Sequence, residues 1–338
     1  MTHDTILVTG GAGFIGSELT RQLCETGAHI IIVDNLVNGK RENLEGLLSD
    51  QVHLVVEDIR NSERMAELLK GVEIVYHLAC LGVRHSIHEP HENHAVNATA
   101  TLQLLSLARE AGVARFVYVS SSEVYGTALW APMSETHPTF PMTVYGASKL
   151  AGECYTRAFH RTYGYPAVVV RPFNAYGPRC HHEGDIGEVI PKFMLRTLAG
   201  RPMVIFGDGT QTRDFTYIAD TARGIRLAGF SDAAVGETIN LGYGAEISIN
   251  ELAHSVAQSL GRPDAPRVHD VPRPGDVLRL IADSNMARKL LGYEPQISLV
   301  EGFQKLKDWY LSIDQSPEVL LENEIIHNWQ TREESTHA

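Results

Sequence analysis

The sequence predicts an α/β fold, a doubly wound parallel sheet followed by a smaller C-terminal α/β domain. Three observations carry this. Short β-branched apolar runs alternate with helical spacing from Ile6 to Pro172, a rhythm that sets parallel strands between helices. The first run, Ile6-Leu7-Val8, passes through glycines directly into a helix. Past Gly177-Pro178-Arg179 the texture changes to loops, prolines and short mixed elements, as where a second domain is assembled from noncontiguous pieces.

The first strand leads into Thr9-Gly10-Gly11-Ala12-Gly13-Phe14-Ile15-Gly16. Gly10, Gly13 and Gly16 suit, in turn, a tight turn, a close backbone approach to a pyrophosphate, and the packing of helix on strand. Phosphates held there meet free amide hydrogens and the positive end of a helix dipole. The second strand, His29-Ile30-Ile31-Ile32-Val33, ends at Asp34-Asn35. A carboxylate about twenty residues past the glycines can accept from both adenosine ribose hydroxyls and repels a 2'-phosphate, so a Rossmann-type site for NAD rather than NADP is expected. The third strand, Val52 to Val56, ends in Glu57-Asp58-Ile59. Asp58 there is either a contact for an adenine edge or a strand-end cap.

Ile74-Val75-Tyr76-His77-Leu78 reads as a fourth strand, Thr99 to Gly112 as a helix and Phe116-Val117-Tyr118-Val119-Ser120 as a fifth strand. Ala147 to Tyr163 reads as a helix, and Ala167-Val168-Val169-Val170-Arg171 as a strand ending at Pro172. Ligands collect at the carboxyl ends of such strands. Leu78-Ala79-Cys80, Ser120-Ser121-Ser122-Glu123 and Arg171-Pro172-Phe173-Asn174 lie there, so Phe14, Ile15, Ile59, Leu78, Ala79, Ser120 and Pro172 are expected around the cofactor. The expected division is 1–178 for the NAD-binding domain with a return segment at about 214–242, then 179–213 and 243–315 for the second domain, and 316–338 for a tail.

Length and composition agree with an enzyme: 338 residues supply ample core. No long apolar span occurs, and Met1-Thr2-His3-Asp4 leads into a strand without the pattern of a signal peptide, so a cytoplasmic location and no membrane partner are expected. Cys24, Cys80, Cys154 and Cys180 lack C-x-x-C spacing, which favours reduced thiols. A net charge of −12 gives no footprint for nucleic acid, although a basic pocket can still hold an anion. His181-His182 and His85 with His88 lack partners at ligand spacing, so no metal is predicted.

Tyr145 and Lys149 stand one helical turn apart in Tyr145-Gly146-Ala147-Ser148-Lys149. An ammonium near a phenol favours the phenolate, as general-base work near neutral pH requires. A hydroxyl from the preceding serine cluster, Ser122 or its neighbour Ser121, could bind the same substrate oxygen.

Together with His77-Leu78-Ala79, Ser120-Ser121-Ser122-Glu123-Val124-Tyr125-Gly126, Arg171-Pro172-Phe173-Asn174-Ala175-Tyr176-Gly177-Pro178-Arg179 and Arg213-Asp214-Phe215, these motifs resemble the extended short-chain dehydrogenase/reductases of the nucleotide-sugar epimerase/dehydratase family. The resemblance implies NAD held through turnover, transient oxidation at sugar C4 by hydride transfer to the nicotinamide, and return of the hydride. It also implies a nucleoside diphosphate sugar, with Asn174 near the diphosphate, Arg213 on a phosphate and Val189 to Phe193 around the base. Arg273, Asp276 and Arg279 fall on a segment that in relatives closes over the diphosphate or ribose. Arg84 is a candidate for the sugar, and pairing of Arg213 with Asp214 or Asp220 is the alternative to phosphate binding.

Glu123 divides the reactions. A 4-epimerase needs only Tyr145, Lys149, a hydroxyl and room for the 4-keto sugar to rotate. A 4,6-dehydratase also needs a carboxylate base for the C5 proton and an acid for the C6 hydroxyl. Dehydratases that resemble this chain often carry Asp-Glu where Ser122-Glu123 stands, so the aspartate is missing. Glu123 is therefore either a base over the sugar or a buried carboxylate bonded to backbone. Arg273-Pro274-Gly275-Asp276 and Lys289-Leu290-Leu291-Gly292-Tyr293-Glu294-Pro295 resemble the epimerase branch. The expectation is a UDP-hexose-type 4-epimerase, with an NDP-sugar 4,6-dehydratase or a UDP-uronate decarboxylase as the alternative and a non-catalytic dinucleotide sensor as a remote one. The helices at Thr99–Gly112 and Ala147–Tyr163 carry the dimer interface in the resembling family, so a homodimer is expected. The tail, with Leu320, Leu321, Ile325, Ile326 and Trp329 at near-helical spacing, is expected to dock on the body and to end in disorder.

Overall fold

The computed structural model describes residues 5–184, 186–273 and 275–330. The run Met1–Asp4, Pro274 and the final residues expected to be disordered lie outside the described residues. In chain order the strands are β1 (Thr5–Thr9), β2 (His29–Asp34), β3 (Val52–Val56), β4 (Ile74–His77), β5 (Arg115–Val119) and β6 (Ala167–Pro172). Then follow β7 (Asn174–Tyr176), β8 (Met203–Phe206), β9 (Thr212–Tyr217), β10 (Thr238–Leu241), β11 (Glu246–Ser248) and β12 (Arg267–Asp270).

Seven strands form one sheet in the order β10-β6-β5-β4-β1-β2-β3, parallel at every pairing. Strands covered on both faces read as continuous apolar runs, which is how β1, β5 and β6 read, and their central residues are buried. Strand order reverses between β1 and β4, and a crevice opens at the carboxyl ends on either side of that point. A second sheet has the order β11-β9-β7, and β8 pairs with β12. The return segment expected from residue 214 therefore starts at the helix Ile218–Phe230, because Thr212–Tyr217 is the central strand of the smaller sheet.

Two helices near the crevice differ from their expected bounds. The helix expected from Ala147 begins at Val144, since Thr143 caps it by accepting from the Gly146 amide at 3.1 Å. This puts Tyr145 in its first turn. The helix Ala100–Glu110 is preceded by a π turn, Ala95–Thr99. In that turn Asn97 is buried and grips Leu81 through both amide groups, its Oδ1 accepting from the Leu81 amide and its Nδ2 donating to the Leu81 carbonyl, which fixes the loop after β4.

Beneath β5 and β6 lies a buried polar network. Glu153 accepts from Arg171 at 2.6 and 2.8 Å and from Ser120 at 2.6 Å, while Arg171 donates to Tyr125 at 2.7 Å. Every charge in it is paired, as burial demands. It fixes the floor on which Ser121 and Glu123 stand. The tail is helical only over Pro317–Leu320; beyond it Asn323 accepts from the Gly184 amide and Ile325 from Lys192 Nζ, each at 2.8 Å, and a run of turns and bends replaces the expected helical spacing. Among the described residues no helix is long and apolar enough to cross a membrane.

Candidate active site

One cleft runs along the carboxyl ends of β1, β2, β4 and β5 and onto the smaller sheet. Gly10, Gly13, Phe14, Ile15, Gly16, Asp34, Asn35, Asp58, Ile59, Leu78, Ala79 and Ser120 line one part of it. The glycines are required by contact. Gly10 has φ +71°, and a Cβ there would stand 2.7 Å from the Ala79 amide nitrogen across the switch point. A Cβ on Gly16 would stand 2.1 Å from the Gly10 carbonyl oxygen. The bare backbone at the N-terminus of the helix Phe14–Cys24 is a cradle that any side chain would fill, so these residues fit a dinucleotide pyrophosphate.

Asp34 accepts from the amides of Ala12 and Leu36, each at 2.9 Å. Burial raises its carboxyl above the usual carboxylate range, and each oxygen keeps a lone pair for a ribose hydroxyl. Asp58 is at the cleft edge, but Arg60 binds both its oxygens at 2.9 and 2.7 Å and holds its pKa down to about 2. Asn35 donates to it at 3.1 Å. The ion pair favours the capping alternative for Asp58 over an adenine contact.

Tyr145, Lys149, Ser121 and Glu123 line the cleft. Ser122 and Pro172 do not: Ser122 is buried in the short helical turn after β5, and Pro172 is buried at the end of β6, in register with Leu241 of β10. Ser121 ends the extended run, with φ −159° and ψ 153°, and lines the cleft beside Tyr145, while Ser122 opens the buried turn. Burial pushes the Tyr145 phenol well above its ordinary value, with Cys80 acting in the same sense and a hydrogen bond with Ser121 against it. Lys149, one helical turn on, donates to the Val119 carbonyl at 2.8 Å and lies 5.2 Å from the Tyr118 ring centre. Burial also raises the Glu123 carboxyl, opposed by Arg213 and Arg84. Glu123 lines the cleft together with those arginines, and its backbone amide donates to Ser121 Oγ at 3.2 Å.

Arg84, Asn174, Val189, Arg213, Arg273 and Asp276 line the remainder. Arg213 pairs with Asp276 at 2.5 Å and with neither alternative partner. Asp214 accepts from three backbone amides, and Asp220 takes Arg223. Burial, reinforced by Arg84, lowers Arg273 to a pKa of about 9. Its Nε and the Asn174 Nδ2 are buried without a hydrogen-bond partner, an arrangement that suits an anion bearing several oxygens. Arg279 lies off the cleft, paired with Glu246. Sequence reasoning missed Arg196, Phe206, Gln211, Glu324 and Ile326, all lining the cleft. Phe206 carried a signal, since an aromatic closes β8 just before the turn Gly207-Asp208-Gly209.

A glycine cradle, a tyrosine–serine pair and a cluster of arginines thus share one cleft, and the family model described as GDP-mannose 4,6 dehydratase matches residues 7–306. The chain belongs to this family. Relatives of this chain within the GDP-mannose 4,6-dehydratase family carry different activities. A UDP-glucose 4-epimerase of Mycolicibacterium smegmatis is 38% identical over 308 residues, covering 90% of this chain and 97% of that protein. The structure of a UDP-glucose 4-epimerase with UDP-glucose from Thermotoga maritima superposes with a TM-score of 0.85 at 35% identity, covering 91% of this chain and 98% of that one. A dTDP-glucose 4,6-dehydratase from Streptomyces venezuelae, solved with NAD bound, superposes at 0.86 with 34% identity, covering 91% and 97%. The tail from Ser316 lies beyond the last residue of the family match.

Proposed function

We propose that this chain is an NAD-dependent nucleotide-sugar 4-epimerase of the UDP-hexose type. The observation that carries the reading is the placement of Tyr145 and Ser121 between the glycine cradle and the arginines of the same cleft. When bound, NAD supplies the acceptor and donor of the C4 hydride and a positive ring that favours the phenolate. Tyr145 Oη takes the proton of the C4 hydroxyl and later returns one, and Ser121 Oγ holds the same oxygen. Lys149 anchors the helix turn to β5 through Val119. Arg213, Arg273 and Asn174 hold the diphosphate, so the 4-keto sugar can turn about that tether. The names of the Mycolicibacterium and Thermotoga relatives agree with this reading.

Glu123 supports a second reading, a 4,6-dehydratase or uronate decarboxylase, because its carboxyl lies in the cleft and acts on the Tyr145 phenol electrostatically. The purified enzyme given UDP-hexoses should yield the C4 epimer with no net NADH. In the Glu123→Gln variant a 4-epimerase keeps activity within about tenfold, whereas a dehydratase loses about 10²-fold or more. A 4-keto-6-deoxy product or released carbon dioxide sinks the epimerase reading. The working state is a cytoplasmic homodimer with reduced thiols, a reading supported by four free cysteines and by an apolar surface on the two helices beside the cleft.

A further inference from the structure

The tail is tied to the cleft by groups that also line it. Glu324 forms an ion pair with Arg196 at 2.6 Å, with both side chains at most 10% exposed. Lys192 donates to the Ile325 carbonyl, and Glu324 with Ile326 faces the cleft. His327 meets Asp270 at 2.8 Å, and Leu321 is buried. At the end of this run Trp329 stands edge-on to Phe206, 4.8 Å between centroids at 88°. The Arg273 guanidinium lies over both rings, 5.0 Å from Phe206 and 5.5 Å from Trp329.

These contacts place the tail at a definable position along the substrate. The dinucleotide cradle occupies one end of the cleft and the arginines its middle. Past them Val189, Phe193, Phe206 and Ile326 form an apolar slot with Lys192, Arg196 and Glu324 at its rim, a shape and chemistry suited to a planar heterocycle. We propose that the tail segment Leu321–Gln330 walls the nucleobase end of the substrate cleft and that Trp329 is a positioning residue, bracing Arg273 for the diphosphate. The proposal rests on the nucleotide-sugar reading above. Aromatic faces stabilise a desolvated guanidinium through their quadrupoles, and the buried Arg273 guanidinium lies over Phe206 and Trp329, with its Nε lacking a hydrogen-bond partner. With the indole gone, Arg273 gains solvent and loses its aim, so binding of the nucleotide suffers before chemistry does.

The test titrates UDP into the full-length, NAD-loaded protein by calorimetry. Trp329→Ala should weaken UDP binding about tenfold, with a matching rise in KM for the sugar nucleotide and a smaller change in kcat. Trp329→Phe, which keeps a ring over Arg273, should recover most of the affinity. Glu324→Gln loosens the strap while retaining the indole and should weaken UDP in the same direction, which covers a Trp329→Ala protein that folds poorly. UDP affinity within twofold of wild type in both Trp329→Ala and Glu324→Gln overturns the role of the tail and leaves the epimerase reading standing. A wild-type protein that binds none of UDP, TDP, GDP and CDP overturns the nucleotide-sugar reading, and this proposal with it.

Discussion

Tyr145 sits where a base is needed, in surroundings that hold its proton. Burial and the nearby Cys80 and Glu123 favour the neutral phenol, Ser121 opposes them, and Lys149 is spent on the Val119 carbonyl. On the proposed function, the positive ring of bound NAD lies beside the phenol and favours its phenolate, coupling proton transfer to a loaded cofactor site. Tyr145→Phe should therefore lower kcat by about 10²- to 10⁴-fold while leaving NAD binding nearly unchanged. Retained turnover would remove Tyr145 from the chemistry. The same scale explains why Asp276 matters: by pairing with Arg213 it sets that guanidinium's direction, so Arg213 is aimed before a phosphate arrives.

At the scale of elements, the site is made by three junctions. Between β1 and its helix, backbone passes so close to backbone that only glycine fits at residue 16. Gly16→Ala puts a methyl 2.1 Å from the Gly10 carbonyl oxygen, so the loop must open and its amides lose their aim. The expected result is NAD affinity reduced by about tenfold or more, read by cofactor titration. An unaltered NAD affinity would mean the loop is not the pyrophosphate cradle. The second junction is the capped start of the helix Val144–Tyr163, which points Tyr145 at Ser121. The third is the π turn Ala95–Thr99, whose extra residue turns Asn97 inward to clamp Leu81.

For the molecule as a whole, the cleft draws on all three sheets: the glycine loop, Tyr145 and Arg84 belong to the large sheet and its helices, Arg213 and Asn174 to the smaller sheet, and Phe206 and Arg273 to the β8–β12 pair and the loop after it. Outside the cleft the helices Ala100–Glu110 and Val144–Tyr163 leave Leu102, Val144 and Tyr163 exposed, Tyr163 at 54%. Such residues on neighbouring helices suit an isologous, four-helix contact between two copies. Sedimentation velocity should show a dimer, and Leu102→Glu should shift it toward monomer. A wild-type chain that sediments as a monomer discards that assembly.

The sequence by itself determined the alternation of strands and helices in the first half, the parallel sheet they form, and the positions of the glycine loop and Asp34 at its strand ends. These depend on local constraints: a β-branched run and a turn only glycine can make. It left Asp58, Arg213 and Glu123 each with two readings, since partners such as Arg60 and Asp276 are chosen by loop conformation and not by spacing. Only the tertiary structure decided which serine lines the cleft, because the strand end at Ser121 passes into a helical turn that buries Ser122. Only it brought Trp329 to Arg273, residues 56 positions apart by number whose meeting depends on how the tail packs along the helix Val189–Leu198 to reach the end of β8. Long-range contacts of that kind arise from packing of whole elements, and no period in the chain records them.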